Sequence, residues 1–117
     1  MKFLRNIAAA AAVLLLAAPA FAHTTIVSSN IKDGAELTTA PDTFDFSFGS
    51  DVGLAGLELE TLAGTSVEIA FERPRQMGKD FSVPLPALAP EQYILKWRAV
   101  AKDGHVMKGQ IDFMITG

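Results

Sequence analysis

The chain contains no cysteine. A structural disulfide, a thiolate zinc site, an iron–sulfur cluster and a Cys nucleophile are therefore excluded. Positive charge is not in excess either. Ten basic against 13 acidic side chains give a formal net charge of −3, which offers no electrostatic basis for binding nucleic acid. Histidine is scarce, with two in 117 residues. No apolar run reaches the roughly 20 residues that a membrane-spanning helix needs. Internal repeats, low-complexity tracts, interdomain linkers and, after Ala22, helical periodicity are all missing. What remains is half apolar and one-fifth charged, and its length suits one small ordered domain.

The N-terminus has its own grammar. Met1 to Arg5 is a short basic head, and Ile7 to Ala18 is an unbroken apolar run. Pro19 breaks any helix, and Ala20-Phe21-Ala22 sets small residues on either side of a large one. This three-part pattern predicts a secretory signal peptide over residues 1–22, cleaved after Ala22. The mature domain is then 23–117. Without Lys2 and Arg5 it keeps eight basic and 13 acidic side chains, a formal net charge of −5. Secretion usually invites disulfides; here packing and sheet hydrogen bonds must hold the fold.

Short alternating runs between turn residues predict an all-β domain. Strands are expected over Thr24–Ser28, Thr43–Phe48, Leu57–Leu62, Ser66–Phe71, Phe81–Leu85, Tyr93–Val100 and Gln110–Thr116. Turns are expected at Lys32-Asp33-Gly34, Ala63-Gly64-Thr65 and Lys102-Asp103-Gly104-His105, with a loop over Arg73–Lys79 and a connection over Pro86–Pro90. Pro84 has no N–H to give a ladder, so its strand should lie at an edge. Seven short strands with antiparallel neighbours suggest a Greek-key barrel or sandwich. Phe44, Phe46, Phe48, Tyr93, Leu95, Trp97, Ile111 and Phe113 are its expected core.

Both histidines sit in unusual places. Cleavage after Ala22 makes His23 the first residue, whose α-amine and ring Nδ1 can chelate one metal ion. An internal histidine cannot do this, because its backbone nitrogen is an amide. His105 follows Asp103 by two residues, and positions i and i+2 of extended chain project to one side. Gly104 between them admits a positive φ. If the first strand lies beside the last hairpin, His23 can meet the pair. The resulting nitrogen and oxygen donors suit Cu(II), with Zn(II) also accommodated, and disfavour Cu(I), which prefers sulfur.

The sequence from His23 onward resembles the CopC family of periplasmic copper-binding proteins. The likeness runs from His23 through Ser28-Ser29-Asn30, Asp33 to Leu37, Ala40-Pro41 and Phe46-Ser47-Phe48. It is most specific from Tyr93 to His105, with Trp97-Arg98 and Asp103-Gly104-His105, and continues through Gly109 and Phe113. The resemblance implies a cupredoxin/immunoglobulin-like Greek-key β-barrel. It also implies one Cu(II) site formed by the amine and ring of His23, by Asp103 and by the ring of His105. Members with a separate Cu(I) site carry a methionine-rich loop with another histidine. Here that region offers only Met77, while Met107 and Met114 stand alone, so no Cu(I) site is expected. In the family an acidic residue often follows the phenylalanine-serine strand; Asp51 lies near that position without matching it.

The function expected from these readings is copper sequestration or carriage in the periplasm, for homeostasis or resistance and without catalysis. The protein would be a monomer, with an inner-membrane copper-transport protein of the CopD type as its partner. Two other readings remain open on the residues: a copper oxidative enzyme built on the N-terminal histidine, and an immunoglobulin-like adhesion module without metal. Ser28, Ser29 and Ser50 have no assigned base. Glu58, Glu60, Glu68 and Glu72 read as the wet faces of strands. Arg73 and Arg75 read as cations of a solvated loop, with anion binding as the alternative. Arg98 is expected to form an ion pair or to support Asp103.

Overall fold

The computed structural model describes residues 25–117. The expected signal peptide, its cleavage point and His23 lie outside the described residues.

Seven strands follow in order: β1 (Ile26–Ser29), β2 (Ala35–Leu37), β3 (Thr43–Thr61), β4 (Ser66–Val67), β5 (Gly78–Pro84), β6 (Glu91–Ala101) and β7 (Val106–Ile115). Along the sheet the order is β1-β3-β6-β7-β2, and β4 and β5 also pair with β3. All pairs are antiparallel except β2 with β7. The sheet curls into the expected all-β, Greek-key barrel.

The long third strand makes the curl. Its first half pairs with β1 and β5, its second half with β4 and β6, and Val52 is partnered by both Gly78 and Ala101. The sequence predicts two separate strands here, and the structure joins them. The reason is a change of parity. Phe44, Phe46, Phe48, Val52 and Leu54 are buried at even positions, whereas Leu57, Leu59 and Thr61 are buried at odd ones. In the β6 ladder Leu54 faces Ala99 and Gly56 faces Arg98, so Ala55 has no partner. One inserted residue is a β-bulge, and it moves every later side chain to the other face.

Other elements differ from expectation as well, and β5 begins at Gly78, inside the loop expected over Arg73–Lys79. The three-residue β2 is too short to show a period. It is held instead by bonds at its ends: Gly34 N–H to Asp112 O at 2.7 Å, Asp112 N–H to Asp33 Oδ1 at 2.9 Å, and Thr116 N–H to Leu37 O at 2.8 Å. The strand expected over Ser66–Phe71 stops at Val67, although Ile69 and Phe71 still pack on the core. The last strand begins at Val106, four residues early, so it follows His105 directly. Among the described residues β5 pairs only with β3, which makes it the edge that Pro84 requires.

The two halves of the sheet meet through aromatic rings. Phe44 stacks on Phe46 at 4.4 Å, Phe46 on Phe81 at 5.6 Å, and Phe48 meets Trp97 edge-on at 5.3 Å. Each such side chain removed from water contributes about 2–3 kcal/mol. Trp97 in turn lies across Gly109. A Cβ there would fall 2.6 Å from its ring, so only glycine fits. Asn30 ties the β1–β2 connection to β3, donating to Thr43 O and accepting from Asp45 N–H, both at 2.8 Å.

Candidate metal centre

The β6–β7 hairpin sets the geometry of Asp103 and His105. Val100 faces Val106 in the ladder, and Ala101 N–H donates to His105 O at 2.8 Å. Gly104 N–H donates back to Ala101 O at 2.9 Å, closing a turn with Lys102 and Asp103 at its centre. Gly104 then takes φ 93°. This is a turn followed by a left-handed residue, a common way to close a hairpin, and it favours glycine.

The turn brings Asp103 against His105 more closely than shared projection to one side requires. Asp103 Oδ1 accepts from the His105 backbone N–H at 3.1 Å, and Asp103 Oδ2 lies 2.8 Å from His105 Nδ1. The backbone bond first, then the ring bond and its charge, hold the Asp103 carboxyl below its ordinary value of 3.8. The carboxylate is therefore ionised and can only accept. His105 Nδ1 must carry the proton, which leaves the Nε2 lone pair unprotonated in the neutral ring. A carboxylate behind one imidazole nitrogen is the usual arrangement for presenting the other to a metal. The side chains are 64% and 83% exposed respectively, so the pair orients the ring and adds little to stability.

The surrounding strands say what can approach this turn. Ile26 faces Phe48 in the β1–β3 ladder, so toward its N-terminus β1 runs past Phe48 toward Gly49 and Ser50. Val52 of the same stretch faces Ala101, two residues before Asp103. Asp51 and Lys102 stand 3.8 Å apart, linking the corner of β3 to the turn. β1 also faces β7 across a cleft of about 330 Å³ whose lining includes Thr25, Trp97 and Gly109. The start of β1 thus lies at the end of the barrel that carries Asp103 and His105. Among the described residues no three His, Asp or Glu side chains converge as a metal cluster. The structure brings together two of the three expected site residues, and the third lies outside the described region.

Other expectations divide. Glu58, Glu68 and Glu72 are exposed as wet-face residues, while Glu60 is bound to Lys96 at 2.5 Å. Arg98 makes no ion pair among the described residues and does not reach Asp103. Its guanidinium lies over Gly56, with Nη2 3.1 Å from where a Cβ would stand. Of the two readings of Arg98, neither holds, because the missing side chain at Gly56 gives the guanidinium a place to lie flat. Three serines donate hydrogen bonds within the fold, Ser29 among them. Ser47 Oγ donates to Asp80 at 2.7 Å, Ser82 Oγ to Asp45 at 2.5 Å, and Ser29 Oγ to Ile31 O at 2.6 Å.

The fold and sequence are shared with known proteins. The CopC domain matches residues 26–116. Copper resistance protein C of Xanthomonas campestris pv. juglandis is 34% identical over 113 residues, covering 89% of this chain and 88% of the relative. Protein YobA of Escherichia coli K12 is 29% identical over 99 residues, with coverage of 81% and 80%. Among solved structures, CopC from Methylosinus trichosporium OB3b superposes with a TM-score of 0.62 at 20% identity, over 80% of this chain and 94% of that one. PcoC, a methionine-rich copper resistance protein from E. coli, gives 0.60 at 23% identity, over 81% and 100%. Alike in sequence over almost the whole domain and alike in barrel, the chain belongs to the CopC family.

Proposed function

We propose that this chain is the precursor of a periplasmic Cu(II)-binding protein that sequesters or carries copper and does no catalysis. The observation that carries the reading is the Asp103–His105 pair, a protonated Nδ1 on a carboxylate with Nε2 left to bind. It lies at the end of the barrel where β1 begins. Its support from relatives is that two of them are named copper resistance proteins. Signal cleavage after Ala22 gives His23 a free α-amine, which with its ring nitrogen supplies two donors. His105 supplies a third, and Asp103 supplies an oxygen or holds His105 in place. Nitrogen and oxygen donors without sulfur favour Cu(II) over Cu(I). The amine must lose its proton to bind, so affinity weakens as pH falls below neutrality. Delivery to or from an inner-membrane transport protein of the CopD type completes the proposal.

The test is a Cu(II) titration of the exported protein, followed by paramagnetic resonance after its first residue has been sequenced. One nitrogen-rich site at one equivalent, lost in His23→Ala, is expected. Equal binding in that variant, or a first residue other than His23, would defeat the assignment. Peroxide turnover with a reductant is expected to stay at the level of free copper; turnover above it would favour the oxidative enzyme.

A further inference from the structure

The connection between β4 and β5 carries a sequence that the copper reading does not use, Arg73-Pro74-Arg75-Gln76-Met77. In the structure it forms one wall of a groove of about 650 Å³. Arg73, Arg75 and Met77 lie on that side, with Lys102 and Gly104 of the hairpin turn opposite. None of the residues lining the groove is acidic. Neither arginine makes an ion pair or hydrogen bond among the described residues. Lys102 is only loosely held, 3.8 Å from Asp51. Pro74 fixes the backbone between the two guanidinium groups, so part of the cost of ordering them is already met in the free protein. This positive groove lies on a domain whose acidic residues outnumber its basic ones by five after Ala22.

We propose that this groove is a docking site for an acidic polypeptide segment of a partner protein. Guanidinium groups present paired donors that match a carboxylate fork, and two of them beside an ammonium recognise a short run of Asp or Glu. Met77, 44% exposed, adds apolar contact for the segment's backbone and stems. An anionic membrane fits less well, because the cations line a concavity that an extended segment can enter and a broad flat surface cannot. Lys102 and Gly104 belong to the turn of Asp103 and His105, so a segment seated here lies beside His105. That placement gives the docking its purpose under the copper reading, but the docking itself needs no copper.

The test uses the exported, copper-free protein and a fluorescein-labelled hexaglutamate peptide, with binding read by anisotropy. Saturable binding that weakens between low salt and about 0.15 M is expected. The double reversal Arg73→Glu with Arg75→Glu should weaken it about tenfold or more, and the neutral pair Arg73→Gln with Arg75→Gln should also weaken it. Lys32→Glu with Lys108→Glu changes the net charge equally, away from the groove, and should leave affinity within about twofold. Equal losses in both double reversals, no binding by the wild type, or binding to phosphatidylglycerol vesicles but not to the peptide would overturn the proposal. Cu(II) titration of the same samples separates the two readings. Peptide binding that survives when copper binding fails retires the copper site alone, and the reverse retires the groove alone.

Discussion

Asp103 gives one oxygen to a backbone N–H and the other to an imidazole, and this division has consequences at its own scale. Asparagine can replace only one of those acceptors, since its NH₂ cannot accept from Nδ1. Asp103→Asn should therefore free the His105 ring to move its proton to Nε2. Cu(II) affinity should then fall about 10- to 100-fold, with the change of tautomer visible in the ¹⁵N shifts of the copper-free ring. Tyr93 offers a second test. It is the single tyrosine, and its hydroxyl donates to Ala89 O at 2.7 Å. Burial, then the charge of Glu91, raise its pKa above 10.0. The folded state then keeps a proton that the unfolded state gives up above pH 10. Stability is unaffected below that pH and falls as pH rises from there through the folded value. Phenolate absorbance should show one midpoint above 10 in the folded protein and a return to the ordinary value in urea. At this scale the Asp-Gly-His turn was legible, because its residue types demand it. The bond between Asp103 and His105 was not, because it depends on the φ of Gly104.

Strands that alternate cleanly can be read from sequence. Tyr93, Leu95, Trp97 and Ala99 declare one face of β6, and all four are buried. β3 resists that reading because its period breaks at Ala55, where a bulge looks the same as an end. Deleting Ala55 should remove the bulge and leave a regular strand with Leu57 and Leu59 still facing inward, whereas deleting Glu58 should turn Leu59 and Thr61 toward solvent. The expected loss is about 2 kcal/mol for the first and more than about 4 kcal/mol for the second, both measured by urea unfolding with Trp97 fluorescence. An equally large loss for both deletions would mean that Ala55 is not the inserted residue. The short β2 was illegible for another reason. Its pairing is parallel and non-local, and it depends on Asp33 reaching Asp112, a partner 79 residues away in the chain.

For the molecule as a whole, the residue pattern made the barrel legible but not its continuity, which rests on one strand serving both halves. β3 holds β1, β4, β5 and β6. Residues 68–77, between β4 and β5, contribute no ladder bonds at all. The covalent thread and the cohesion of the barrel are therefore separable at that point. Arg73 precedes proline, which trypsin does not cleave, while the Arg75–Gln76 bond lies exposed in the same stretch. Light trypsin treatment should sever it and leave two pieces, one ending at Arg75 and one carrying β5 to β7. They should travel together through gel filtration and part only in denaturant. The domain would then behave as a clasp of two halves, its integrity kept by hydrogen bonds across β3 after the peptide chain is cut.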